Sequence, residues 1–192
     1  MNQYKKSKIG KLLSFGSEHI VYSYDIDKVL KFSLIHFFYG HKKGIEWSQK
    51  ELEISKKYFG DFILNTEIVI SENKHYFAQL QPKIIEHHLT AKDLDNKILY
   101  QQFLKIIDGY HQMCKDRQPE IDLIGQKGIF KKCMSNIFVL NNNQLVIMDA
   151  TLFNTKCPII LKPIIACLRY LVLPIQNRRI NQFLTQKGNK IN

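Results

Sequence analysis

Asn136-Ile137-Phe138-Val139-Leu140-Asn141-Asn142-Asn143-Gln144-Leu145-Val146-Ile147-Met148-Asp149 organises the reading of this chain. Two apolar arms, 137–140 and 145–148, flank a short polar stretch, the pattern of a β-hairpin. Asn136 precedes the first arm and Asp149 follows the second. Arms of equal length bring both residues to the same open end. Their side-chain oxygens could there converge on one hard cation. Mg²⁺ takes oxygen ligands, keeps several waters, and is commonly held by one or two protein groups plus substrate phosphates. The same residue types also serve simply as turn-formers beside a hairpin.

The rest of the chain can be placed around this hairpin. Residues 91–113 carry the longest helical pattern, with Leu99, Phe103, Ile106, Ile107 and Tyr110 at helical spacing. Residues 9–34 read as three strands, IGKLLSF, IVYSY and VLKFSL, joined by GSEH and the tight turn DIDK. Such short connections favour antiparallel neighbours. Residues 44–59 read as a helix ended by Gly60-Asp61. Residues 62–81 read as two more strands around the turn SENK, closed by Pro82. The tail, 158–185, is apolar and basic, but Lys162, Pro163, Arg169 and Pro174 interrupt it. It therefore lacks the roughly 18 clean apolar residues of a membrane span. It reads as buried helices closing the second half, or as a helix lying on a membrane surface.

Composition bounds the class. The chain has 192 residues, 45% of them apolar, which excludes disorder as its main state and suits one domain or two small lobes sharing a cleft. A net charge of +11 favours an anionic partner such as phosphate, nucleic acid or an acidic membrane, or else reflects a solvated Lys-rich surface. Cys114, Cys133, Cys157 and Cys167 make no C-x-x-C and are too sparse for a disulfide scaffold. The seven His make no H-x-x-x-H, so nothing points to zinc. The first residues lack a signal-peptide core, and a cytoplasmic, reduced protein is expected.

The spacing from Asn136 to Asp149 resembles the catalytic-loop Asn and the metal-binding Asp of the protein kinase superfamily. Other stretches resemble the same family in order. Ser14-Phe15-Gly16-Ser17-Glu18-His19-Ile20-Val21 keeps one Gly and the Val of the nucleotide loop. Val29-Leu30-Lys31 resembles the strand that aims a Lys at the α- and β-phosphates. Alternation puts Val29 and Lys31 on one face and Leu30 and Phe32 on the other. Glu51 lies twenty residues beyond Lys31, where the family places the Glu that orients it, with Glu53 as the alternative. Gln79-Leu80-Gln81-Pro82 falls at the hinge, where Leu80, Gln81 or Lys83 would supply the backbone donor.

The pattern also breaks. Asp149 is followed by Ala150-Thr151 in place of Phe-Gly, so the family's Phe-Gly switch is missing. Lys131 stands five residues before Asn136, where the family has its catalytic Asp, and a Lys cannot do that proton-accepting work. The nearest upstream carboxylate in a loop is Asp122, fourteen residues before Asn136. It becomes the candidate base if residues 125–134 form an inserted excursion. Alternatively, Lys131 or Lys132 contacts a γ-phosphate, where the plain reading of both is a solvated Lys. Only 43 residues follow Asp149, too few for the lobe that holds a peptide substrate.

The resemblance implies an α+β, two-lobed protein-kinase-like fold. A mainly antiparallel sheet lobe would span 1–81 and a reduced helical lobe 82–192. It implies ATP and Mg²⁺ as cofactors, with Asn136 and Asp149 on the metal. Lys31 and Glu51 would serve the phosphates, Gly16, Val21, Val29, Leu80 and Gln81 would line the nucleotide, and Asp122 would be the base. The expected function is transfer of the ATP γ-phosphoryl to a non-peptide or unknown acceptor. A pseudokinase that binds without turnover is the alternative. A basic nucleic-acid-binding domain explains the charge but not the Asn–Asp hairpin, and an anionic membrane is a further expected partner, through 158–185.

Overall fold

Leu30 and Lys31 are neighbours in sequence but lie on opposite faces of one sheet, and that alternation explains how the sheet is covered. The computed structural model describes residues 1–15, 19–34, 40–153 and 162–188, and shows an α+β chain. Its contacts divide it into two compact units: Met1–Glu53 with Leu64–Ile85, and Ile54–Ile63 with Glu86–Asn192. The first unit thus ends at Ile85, and a short stretch of the first long helix belongs to the second unit.

The first unit holds β1 (Gln3–Tyr4), β2 (Ile9–Phe15), β3 (His19–Tyr24), β4 (Lys28–Ser33), β5 (Glu67–Ser71) and β6 (Phe77–Pro82). They form one sheet in the order β1-β5-β6-β4-β3-β2. All its pairs are antiparallel except β1 with β5. Sequence patterning predicts all but β1, which is too short to carry a pattern. Asp25, at φ 57°, makes the turn between β3 and β4, a backbone that Asp tolerates better than most residues. Leu30 pairs in register with Leu80 on one side and Tyr22 on the other. It packs with Tyr4, Tyr24, Val69 and Ala78 into the core of this unit, against which Phe32 and Leu80 lie. Tyr4 and Tyr22 each meet the Phe32 ring edge-on, at 6.0 Å.

The other face carries Lys31, which pairs in register with Val21 and Gln79. Helix α1 (His41–Phe59) begins three residues before its predicted start at 44. Its Ser48 accepts a hydrogen bond from Gln79 Nε2 at 3.3 Å, which lays this part of the helix on the Lys31 face.

In the second unit β7 (His87–Thr90), β8 (Cys133–Val139) and β9 (Leu145–Ile147) form an antiparallel sheet in that order. Helix α2 (Lys97–Lys115) buries Leu99, Phe103, Ile106, Ile107 and Tyr110 as their spacing predicts, and Met113 with them. It starts at Lys97, not at 91. The Asp93 carboxylate accepts from the Thr90 amide and hydroxyl, which holds the preceding residues in a tight loop. Asn96 then caps the helix, accepting from the amides of Ile98 and Leu99. A one-turn helix, α3 (Gly125–Phe130), precedes β8.

Helix α4 (Lys162–Gly188) corrects the expectation of several tail helices, for it runs unbroken through Pro174. Proline removes the bond to the carbonyl four residues earlier. Pro174 and Tyr170 are both exposed, so water can satisfy that carbonyl. Among the described residues no helix is long and apolar enough to cross a membrane.

Gly109 of α2 faces the carbonyl of Tyr58 in the last turn of α1, where a Cβ would collide with backbone. Backbone cannot swing aside as a flexible side chain can. Gly109→Ala should therefore destabilise the fold by about 1–3 kcal/mol despite the better helix propensity of Ala. A urea titration checks this, and a midpoint at or above the wild-type value would refute the close approach.

Candidate functional site

Two short ladders build the site in the second unit. In the first, β8 and β9 pair with Ile137 opposite Ile147, and the Met148 amide donates to the Asn136 carbonyl at 2.9 Å. Asn136 therefore lies within β8, not ahead of it, because the strand begins at Cys133. Asp149 follows one residue past the paired end. In the second ladder, Asp122 donates its amide to the Thr151 carbonyl at 3.3 Å, Phe153 donates to Glu120 at 2.8 Å, and Ile121 bridges Leu152. The segment after Asp149 is thereby laid along the segment holding Asp122.

Asn136 closes the group. Its Nδ2 donates to the Asp122 carbonyl at 2.8 Å. Asp149 turns its own chain, with Oδ1 accepting from the Thr151 amide at 3.2 Å and hydroxyl at 2.7 Å. Asp122 Oδ1 accepts from the amides of Ile124 at 3.0 Å and Gly125 at 2.8 Å. Asp122, Asn136 and Asp149 are thus brought together within one unit.

Residues 125–134 do form an excursion. Ser135 donates its amide to the Ile124 carbonyl at 2.9 Å and its hydroxyl to the same oxygen at 2.7 Å. The entry and exit of the excursion are joined, so Asp122 stays beside Asn136 despite the intervening residues. Gly125 makes the turn possible on two counts. Its φ is +61°, and a Cβ there would strike Ser135 Oγ and the Asn136 carboxamide.

Gln176 was not legible in the sequence. It is fully buried on α4, where Oε1 accepts from the Leu123 amide at 2.7 Å and Nε2 donates to the Ile121 carbonyl at 3.2 Å. One side chain thereby grips the backbone on both sides of Asp122. A polar residue inside the apolar run LVLPIQ is the only signal that could have pointed to it.

Burial pushes the Asp122 carboxyl up to about 6. The Gly125 amide opposes that rise, and the negative charge of Asp149 adds to it. Asn136 and Asp149 present oxygen donors, the set a Mg²⁺ ion takes. Among the described residues no group of three His, Cys, Asp or Glu could hold a metal. A cation here would need water and substrate oxygens to complete its shell, which is the usual manner of Mg²⁺.

The first unit holds the remaining candidates. Lys31 and Glu51 are each only 4% exposed, an unusual depth for charged side chains. Val21 is directly opposite Lys31, and Val29 lies two residues along the same face. Leu80 and Gln81 sit inside β6, which has β5 on one side and β4 on the other. Leu80 packs into the core cluster, and Gln81 Nε2 donates to Thr66 Oγ1 at 2.8 Å. The Lys83 amide donates to the Asp27 carbonyl at 2.7 Å. Gly16 lies outside the described residues. Lys131 and Lys132 are exposed at the end of α3.

The Asp122 environment makes a signed prediction. A folded-state pKa above the unfolded 3.8 means that the native state binds the extra proton. That stabilisation is present at low pH and is lost as pH rises through about 6. Asp122→Asn keeps an acceptor at Oδ1 and stays neutral. It should stabilise the protein at pH 8 by about 1–3 kcal/mol, with the gain shrinking toward zero near pH 4. Asp149→Asn should lower the midpoint of the Asp122 titration. Urea denaturation across pH measures the first effect and NMR titration the second. A pH-independent difference would exclude a raised Asp122.

Compared with known protein families the chain matches none, and no curated protein matches it in sequence.

Proposed function

We propose that this protein binds ATP and transfers its γ-phosphoryl to a non-peptide acceptor, in the manner of a reduced kinase-like protein working beside Mg²⁺. The observation that supports this most is the meeting of Asp122, Asn136 and Asp149, reached through the Asn136 bond to the Asp122 carbonyl. That bond orients the Asn136 amide by its nitrogen, which leaves Oδ1 as the ligand atom. The Asp149 carboxylate would be the charged ligand. A Mg²⁺ ion held by these two would neutralise charge on the phosphates. Phosphoryl transfer depends mainly on positioning and on such charge compensation.

Asp122 would act as the base. In the step proposed, an acceptor hydroxyl oxygen bonds to the γ-phosphorus and the bond from that phosphorus to the bridging oxygen breaks. ADP leaves with the electron pair, and the hydroxyl proton passes to Asp122. The two amide bonds fall on Oδ1, so Oδ2 would take the proton. A carboxyl raised to about 6 is ionised at neutral pH yet basic enough to accept a proton. Lys31 would steady the α- and β-phosphates with Glu51 orienting it, and Val21 and Val29 would flank the base of the nucleotide.

Lys131 at the position of the family's catalytic Asp favours a second reading, nucleotide binding without turnover. Thermal shift with Mg-ATP, followed by single-turnover assay with labelled ATP, separates the two. The wild type should show a shift, and Lys31→Ala or Asp149→Ala should reduce affinity at least tenfold. If turnover occurs, its rate should rise tenfold per pH unit below about 6 and level off above. A shift without ADP formation leaves the binding reading. No shift, or an undiminished shift in both variants, overturns nucleotide binding altogether.

A further inference from the structure

The excursion that separates Asp122 from Asn136 carries an unusual surface. Phe130, at the end of α3, is 86% exposed. Lys127, one turn earlier, and Lys131 and Lys132, which follow it, are exposed as well. Arg179 of α4 donates from Nη1 to the Lys131 carbonyl at 2.7 Å, which brings a guanidinium to the same place. The charged groups acting on buried Cys133 and on His88 beneath are Lys127, Lys131, Arg179 and His87, all of them cationic or able to become so.

The apolar part extends onto α4. Residues 171, 175 and 179 form one i, i+4 row. Ile175 packs, with Ile129 of α3, against the cluster of Ile124, Phe153 and Val172. Arg179 ends the row at Lys131. Leu171 begins it and is 55% exposed. A protruding aromatic and an aliphatic side chain therefore share one flank with four basic groups.

We infer that this flank, Phe130 and Leu171 with Lys127, Lys131, Lys132 and Arg179, docks on an anionic lipid bilayer. The lysines would meet the headgroups, and Phe130 would enter the boundary between headgroups and acyl chains. The composition favours lipid over nucleic acid. Single strands are held by stacking on aromatic rings, to which Leu171 adds nothing, whereas both Phe130 and Leu171 gain from insertion. Three of the four cations are Lys, a point charge suited to a field of headgroups more than to forked recognition of one phosphate. Lipid docking stands or falls independently of nucleotide binding.

Cosedimentation of the full chain with vesicles tests this. The wild type should bind vesicles containing about 30 mol% phosphatidylserine and not phosphatidylcholine alone, with binding that weakens as salt rises. Each basic residue should contribute about fivefold, so Lys131→Glu with Lys132→Glu should cost well over tenfold. Phe130→Ser should cost about tenfold or more, with the melting temperature unchanged because the side chain is exposed. Phe130→Trp combined with Trp47→Phe provides a second readout that does not depend on lost binding. Its emission should shift to the blue on anionic vesicles and be quenched by brominated acyl chains. Wild-type protein left in the supernatant, variants that bind undiminished, or an indole that stays in water would each overturn lipid docking. Single-stranded RNA bound through the same lysines, with no vesicle binding, would overturn it in favour of nucleic acid.

Discussion

The backbone on either side of Asp122 is fixed from three directions. The Thr151 carbonyl takes its amide, Asn136 takes its carbonyl, and Gln176 holds the flanking groups of Ile121 and Leu123. Burying a carboxylate is costly unless its surroundings are hydrogen-bonded. Here the cost is met partly by two amides on Oδ1 and partly by a raised proton affinity. A buried acid with a perturbed pKa, ringed by satisfied polar groups, is the kind of place where a fold accepts lower stability for the sake of a reactive group.

Tertiary bonds, not local propensity, assemble this arrangement. The 120–122 segment has no strand signature of its own and pairs only because residues 151–153 run beside it. Gln176 comes from a helix more than fifty residues away in sequence. At the opposite end of α4's contact with this region, Arg169 makes a forked pair with Glu120 at 2.6 and 3.0 Å. Bidentate geometry of that kind fixes orientation as well as distance. The tail helix thus acts on the Asp122 segment through both a neutral and a charged side chain.

What was legible in the sequence follows from how far each signal reaches. The alternation of Leu30 and Lys31, the apolar stripe of α2 and the hairpin around Asn141–Gln144 are local periodicities, and all of them appear in the structure. β1 is two residues long and β7 four, too short for period two to register. The apolar pattern puts the start of α2 too early because the side chains of Asp93 and Asn96 set it. The strand's extra residues Cys133 and Met134 pair with β7, a strand the sequence did not reveal. Asp122 was reachable from chemistry alone, by asking which carboxylate could replace one missing upstream of Asn136. The clamp by Gln176 was not, since a lone Gln in an apolar helix carries no spacing to interpret.

The join between Ile124 and Ser135 has an evolutionary consequence. The hydrogen bonds between its two feet hold the entry and exit of this loop together. Gly125, Gly128 and Met134 are fixed by turn geometry and packing, but the exposed Gln126, Lys127, Phe130, Lys131 and Lys132 can be exchanged while the distance from Asp122 to Asn136 is preserved. Selection can therefore change the surface of this loop without moving Asp122 or Asn136.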